Sequence, residues 1–322
     1  MKNKKILVTG GAGFVGSSLV KKLLEKNLEV RVLDNYQRGN GFRLSDIRSK
    51  IDFIEGDIRD EKIVDKACKG INTVFHLAYL NGTEFFYTKP DIVLDIAVKG
   101  MTNIIDSSIK NNISEFFLAS SSEVYQTPDH TPTTEEVSLI IPDILNPRYS
   151  YGGGKILCEL MTVNYGKKFF EKSIIFRPHN VYGPNMGWEH VVPNFITKIL
   201  NNSLNNDSSE IKLDIQGKGD ETRAFIYIDD FIDGLLKVYD KGENLNIYNI
   251  GTTNEISIID LANKIAKYFE KEIKIIPGKI QKGSTKRRCP DIKKISDLGF
   301  IPKYTIEEGI KLTADWYIKN IK

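Results

Sequence analysis

Tyr151 and Lys155 stand four residues apart in Ser150-Tyr151-Gly152-Gly153-Gly154-Lys155-Ile156-Leu157. At the start of a helix, side chains at that spacing point the same way. An ammonium held beside a phenol lowers the phenol's pKa, so a phenolate comes within reach near neutral pH and acts as a general base on a hydroxyl. Ser121, in Ser120-Ser121-Ser122, can hydrogen-bond the same hydroxyl and orient it. Glu123 follows directly, a carboxylate able to move a further proton. Alone, a Tyr-x-x-x-Lys pair means little, because such pairs arise by chance on many helices. Its meaning depends on the elements that position it.

The first of these elements lies at the other end of the chain. Lys4-Lys5-Ile6-Leu7-Val8-Thr9 is a short apolar run that reads as a strand buried on both faces. Gly10-Gly11-Ala12-Gly13-Phe14-Val15-Gly16 follows, and then an amphipathic run with helical spacing. Gly10 permits the tight turn, Gly13 lets a pyrophosphate approach the backbone, and Gly16 lets the helix sit close to the strand. The helix start offers unpaired N–H groups and partial positive charge to the phosphates. The next run, Leu28–Leu33, alternates and ends at Asp34. An acidic side chain about twenty residues beyond the glycines holds the adenosine ribose diol of a dinucleotide, and it favours NAD over NADP. Arg38 and Arg43 lie close enough in sequence to temper that preference. With a dinucleotide in place, Lys155 also holds the nicotinamide ribose, and Tyr151 takes the hydroxyl proton while hydride leaves the carbon.

Strands and helices alternate through the first half. Asp52–Glu55 reads as a third strand, followed by Gly56-Asp57-Ile58-Arg59-Asp60. Asp57 can bond an adenine amine with Ile58 against the ring, or the segment can simply cap a helix that opens at Asp60. Thr73-Val74-Phe75-His76-Leu77-Ala78 is a fourth strand, with His76 read as a packed core histidine and Ala78 small enough to let a cofactor pass. Asn81–Tyr87, including Thr83, is a candidate substrate loop at the carboxyl edge of the sheet. A single long helix is predicted from about Pro90 to Asn111. A fifth strand spans Glu115–Ser122, and a sixth, Ser173–Arg177, runs into Pro178-His179-Asn180. Asn249-Ile250-Gly251 returns one strand to the sheet. Gly152-Gly153-Gly154 is costly inside a helix. Either substrate or nicotinamide passes close to this turn, or the first turn tolerates glycine cheaply.

The fold class expected is therefore α/β: a Rossmann doubly wound parallel sheet of about seven strands with a smaller C-terminal α/β cap. Residues 1–180 form the dinucleotide-binding domain, with a returning segment near 225–250, and residues 181–322 are mainly the cap. The formal charge of +3 is small and scattered over 322 residues, so nucleic acid is not an expected partner. No apolar run reaches the roughly twenty residues of a membrane span. The N-terminus enters a strand by Lys4 or Lys5, leaving no room for a signal peptide, so a cytoplasmic location is expected. Cys68, Cys158 and Cys289 are far apart and odd in number, which argues against a disulfide framework or a metal site.

The sequence resembles the extended short-chain dehydrogenase/reductases that act on nucleotide sugars, the NAD-dependent epimerase/dehydratase family, over essentially its whole length. The resemblance rests on the glycine segment, Asp34-Asn35, Gly56-Asp57-Ile58, His76-Leu77-Ala78, Ser120–Tyr125 and Tyr151-x-x-x-Lys155. Further on it rests on Arg177-Pro178-x-Asn180-Val181-Tyr182-Gly183-Pro184, Arg223-x-Phe225 and Arg288-x-Pro290-Asp291. It implies NAD held by Gly10, Gly13, Phe14, Val15, Gly16, Asp34, Asn35, Asp57, Ile58, Leu77, Ala78 and Pro178, together with Tyr151 and Lys155. It implies oxidation at C4 of a UDP-, GDP-, CDP- or dTDP-sugar, with Asn180, Arg223 and Arg288 at the diphosphate and Thr83 and Ser122 near the sugar. It also implies a homodimer, and a role in sugars for bacterial surface polysaccharides. Three positions depart from the pattern: Ala97 stands for an asparagine, Gln126 for a glycine and Ala224 for an aspartate. The sequel to C4 oxidation is expected to be 4-epimerisation or release of the 4-keto sugar. Dehydration and decarboxylation through Glu123 are the alternatives; Ser122 stands where dehydratases carry an acid, and Arg148 and Arg288 suit a carboxylate. A cofactor-binding protein with an idle site is the remaining possibility.

Overall fold

The computed structural model describes residues 4–205, 210–280 and 282–320. Seven strands form one parallel sheet: β1 (Lys5–Thr9), β2 (Glu29–Asp34), β3 (Asp52–Glu55), β4 (Thr73–His76), β5 (Glu115–Ala119), β6 (Lys172–Pro178) and β7 (Asn246–Ile250). Their spatial order is β7-β6-β5-β4-β1-β2-β3. The order reverses between β1 and β4, which opens a crevice at the carboxyl ends of the strands.

The strands are apolar on both faces because helices cover both. Ile6, Val8, Phe75 and Phe117 pack into one core. Leu7, Val74, Phe116 and Leu118, one residue out of phase, pack into the other. On the first face lies α1 (Phe14–Glu25), which buries Leu19, Val20 and Leu23. On the second lie α2 (Glu61–Cys68), capped by Asp60, and the helices that lead from β4 to β6.

The predicted helix from Pro90 to Asn111 is divided. It runs as α-helix over Pro90–Asp95, widens into a π-turn over Ile96–Gly100, and resumes over Met101–Lys110. Gly100 lies against Ile58, where an added Cβ would collide. Apolar spacing is nearly the same with or without one π-turn, so periodicity does not reveal it. Asn81–Tyr87 is likewise not an open loop, since Thr83–Thr88 forms a short helix that buries Phe86. Numbered in chain order, these helices are α3 (Thr83–Thr88), α4 (Pro90–Asp95) and α5 (Met101–Lys110), and α6 (Tyr149–Phe169) follows. The fifth strand stops at Ala119. The serines after it turn into a short 3₁₀ segment, Ser122–Tyr125, capped by the Ser121 hydroxyl.

Beyond β6 the chain builds the cap and then returns. The helix Ile228–Lys241 packs on α1, and β7 pairs parallel with β6. Glu210–Ile215 and Glu272–Pro277 pair as a separate two-stranded sheet. Among the described residues no helix is long and apolar enough to cross a membrane, and no cluster of His, Cys, Asp and Glu is arranged to hold a metal.

Candidate active site

The turn after β1 has the geometry its glycines suggest. Gly10 has φ +74°, and a Cβ there would lie 2.7 Å from the Ala78 nitrogen. Gly16 lies under the same turn, and a Cβ there would strike the Gly10 carbonyl. Asp34, at the end of β2, is buried and accepts from the Ala12 and Tyr36 N–H groups at 2.9 and 2.7 Å. Burial pushes its carboxyl up, against the pull of those two N–H groups and of Arg43. Gly10, Gly13, Asp34, Asn35, Asp57, Ile58, Leu77 and Ala78 line one cavity. These residues fit a dinucleotide: a glycine cradle at a helix N-terminus and a carboxylate at the end of the second strand. Asp57 accepts from Asn35 and pairs with Arg59, while Asp60 caps α2. Both nearby arginines have partners within the protein, though Arg38 also lines the dinucleotide cavity. Arg43 donates to the Ala12, Arg38 and Asn185 carbonyls, and Arg38 pairs with Glu189.

The candidate catalytic side chains meet in an adjoining cavity of about 910 Å³, lined by Phe14, Val15, Thr83, Ser121, Ser122, Glu123, Tyr151, Lys155, Pro178, Asn180 and Arg288 among others. That volume accommodates a nucleotide sugar. Ser121 lies beside the Tyr151 phenol, and its hydroxyl pulls the phenol's pKa down against the larger push of burial. Phe86 of α3 stacks on the Tyr151 ring at 4.6 Å, and Tyr79 meets its edge at 5.1 Å. Lys155 is buried and donates to the Ala119 carbonyl at 2.7 Å. Burial lowers its pKa to about 8. One expectation is corrected here. The Tyr151 phenol is not lowered: burial under Phe86 and Tyr79 raises it well above the ordinary tyrosine value, and Lys155 lies 6.0 Å from the ring centroid.

Glu123 faces two guanidinium groups. Arg288 donates to it at 2.6 Å, and Arg148 lies 3.6 Å from its other oxygen. Burial pushes the carboxyl up, but Arg288 and Arg148 outweigh that and hold it below the usual range. Arg288 also donates to Thr285. Arg223 lies apart, in a neighbouring cavity of about 580 Å³ with Thr83, Asn180 and Phe225, where burial lowers its pKa to about 10. Its guanidinium donates to the Thr222, Thr285 and Lys286 carbonyls.

The three glycines of α6 have a different cause from the one expected. Side chains of the protein already need their space. A Cβ on Gly152 would strike the Gln126 amide, one on Gly154 the Tyr79 hydroxyl, and one on Gly153 would come within 3.1 Å of Ile141. Gln126 has φ +50°, a left-handed conformation natural to the glycine it replaces. Its side-chain amide donates to the Glu123 carbonyl, and its backbone carbonyl accepts from the Thr285 hydroxyl. His76 is packed as expected, against the Thr9 hydroxyl at 2.8 Å. Tyr79, Phe86 and Glu159 carry no motif. Only the fold brings Glu159 to Arg177 at 2.6 Å and to Ser120.

A doubly wound sheet with a glycine cradle, a ribose carboxylate and a Ser-Tyr-Lys set at its carboxyl edge defines an NAD-dependent short-chain dehydrogenase/reductase. The NAD dependent epimerase/dehydratase family matches residues 6–251, and the chain belongs to that family. It is 34% identical to a putative UDP-glucose 4-epimerase of Methanocaldococcus jannaschii, over 98% of this chain and 99% of that one. It is 31% identical to UDP-glucuronic acid decarboxylase 6 of Arabidopsis thaliana, over 97% of this chain and 88% of that one. A dTDP-glucose 4,6-dehydratase of Streptomyces venezuelae, solved with NAD bound, superposes with a TM-score of 0.88 at 26% identity, covering 98% and 97% of the two chains. The chain is thus an NAD-dependent nucleotide-sugar enzyme, and its relatives carry out three different reactions.

Proposed function

We propose that the enzyme oxidises C4 of a nucleotide-activated sugar, with Tyr151 as the base, Ser121 orienting the C4 hydroxyl and Lys155 keeping positive charge beneath the phenol. The observation that carries this reading is the convergence of Ser121, Tyr151 and Lys155 on one cavity, with Tyr151 and Lys155 one helical turn apart. NAD, when bound, supplies the hydride acceptor. Gly10, Gly13, Gly16 and Asp34 hold its adenosine half, Leu77, Ala78, Phe14, Val15 and Pro178 line its path, and Lys155 meets the nicotinamide ribose. Thr83 and Ser122 border the sugar, and Asn180 and Arg223 receive the nucleotide diphosphate in the cap. Arg288, also assigned to the diphosphate, is tied to Glu123.

The 4-keto sugar is then reduced on its other face or released, giving 4-epimerisation or 4-oxidation. A second reading is favoured by one observation. Two guanidinium groups serve the single carboxylate of Glu123, so the cavity holds a surplus of positive charge beside the reacting ring. A uronic sugar would satisfy that surplus, and once oxidised at C4 it loses its carboxylate readily. Dehydration is less well supported, because Ser122 offers no acid for a leaving C6 hydroxyl.

Two copies pair through α4, the π-turn after it and α6, where Leu94, Val98, Leu157 and Leu160 are exposed together with Tyr165 and Phe169. Gel filtration at micromolar concentration tests this, and elution as a monomer contradicts it.

Incubation in D2O with UDP-, GDP-, CDP- and dTDP-sugars, followed by proton NMR, separates the reactions. A new hexose without solvent deuterium means epimerisation. A pentose with deuterium at C5 means decarboxylation, and a 6-methyl group with deuterium at C5 means dehydration. No product from any sugar contradicts the proposal.

A further inference from the structure

Tyr79 follows β4 at the carboxyl edge of the sheet. It lines both the dinucleotide cavity and the catalytic cavity. Lys155 Nζ lies 3.9 Å from its ring centroid, and its edge meets Tyr151 at an interplanar angle of 87°. The ring therefore touches both members of the catalytic pair.

The space for this ring is built from two small residues. A Cβ on Gly154 would collide with the Tyr79 hydroxyl and would sit 2.9 Å from the Ala97 Cβ. Ala97 belongs to the π-turn, and its carbonyl accepts from Cys158 Sγ at 3.6 Å, which ties the turn to α6. Gly154, Ala97 and the Tyr79 hydroxyl thus meet at one point. The hydroxyl itself is buried without a hydrogen-bond partner. An unsatisfied buried hydroxyl is unfavourable, so the aromatic face, not the hydroxyl, accounts for the residue.

Lys155 needs that face. It makes one hydrogen bond, to the Ala119 carbonyl, and is almost wholly buried at the floor of the catalytic cavity. An ammonium removed from water is stabilised by an aromatic face. The ionisable groups around it are Tyr151, Cys158 and Glu159 on its own helix and His76 on β4. Glu159 is engaged by Arg177 and Ser120, and His76 by Thr9.

We propose that Tyr79 is a positioning residue of the reaction, its ring keeping Lys155 charged and aimed along the cleft beside Tyr151, in space that Gly154 and Ala97 leave open. This rests on the reading of Tyr151 and Lys155 as the catalytic pair.

The test is NADH binding to the full-length protein freed of bound nucleotide, followed by NADH fluorescence between about pH 6.5 and about pH 10. Wild-type affinity falls as pH rises through the Lys155 pKa of about 8, and this limb is absent in Lys155→Met. Tyr79→Met fills the volume without an aromatic face and moves the limb down by about one pH unit. Tyr79→Phe leaves it in place. Gly154→Ala displaces the ring without altering it and moves the limb in the same direction; it carries the test if melting curves show Tyr79→Met unfolded. An unmoved limb in these variants overturns the proposal. A shift in Tyr79→Phe as large as in Tyr79→Met assigns the effect to the hydroxyl and also overturns it. A wild-type limb that survives Lys155→Met strikes instead at the reading of Lys155, and the proposal falls with it.

Discussion

Arg288 donates to Glu123 across 2.6 Å, joining a residue near the end of the chain to the segment that carries Ser121. The pair places a carboxylate held below its usual pKa in the cavity that Ser121 and Tyr151 also line. Glu123→Gln should retain C4 oxidation, seen as NADH formation, while losing any step that exchanges hydrogen at C5. If the enzyme is a plain 4-epimerase, the same variant keeps turnover within about tenfold. Arg288→Met removes the closer of the two guanidinium groups and leaves Arg148 beside the carboxylate, so it should lower the urea midpoint, and Arg148→Met with it should lower the midpoint further.

The glycine cradle makes a second prediction. Gly16→Ala places a methyl against the Gly10 carbonyl. It should abolish copurification of NAD and lower the melting temperature, whereas Gly41→Ala, with nothing nearer than 3.8 Å, should do neither.

Much of this site was legible because its chemistry lies in local motifs. The glycine turn, Asp34 and the Tyr151–Lys155 spacing each depend on one stretch of chain. The seven strands were legible for the same reason, since each is an apolar run bounded by turn residues. What remained hidden depends on contacts across the fold. Gly152 and Gly154 are glycine because Gln126 and Tyr79 come to them from other segments. The burial that raises Tyr151 comes from α3 and from Tyr79, and no spacing within α6 encodes it. The joining of Arg288 to Glu123 spans 165 positions.

Two buried histidines make stability depend on pH. Burial lowers His76 and His179 to about 3, helped by Lys155 at His76 and by Arg288 and Arg177 at His179. In the unfolded chain both titrate near 6.5. Between those values the unfolded chain binds more protons, so stability falls as pH drops from about 6.5, by about 1.4 kcal/mol per pH unit for each histidine. Urea midpoints at pH 7.5 and about pH 5.5 measure the slope, and His76→Asn should remove about half of it.

The Arg177–Glu159 pair is buried on both sides and closed by Ser120 and Tyr125. Arg177→Met leaves the Glu159 carboxylate alone in the interior and should cost about 3–5 kcal/mol. Replacing both partners with apolar residues should recover most of that loss. Denaturant unfolding of the two single variants and the double variant measures the coupling.

The most direct test of C4 oxidation is absorbance at 340 nm when the NAD-loaded enzyme meets a nucleotide sugar it accepts, with hydrogen or deuterium at C4. NADH should form in the first turnover, form several times more slowly with deuterium at C4, and fail to form in Tyr151→Phe although NAD stays bound. A first turnover indifferent to C4 deuteration, or undiminished in Tyr151→Phe, would contradict the assignment of Tyr151 as the base for oxidation at C4.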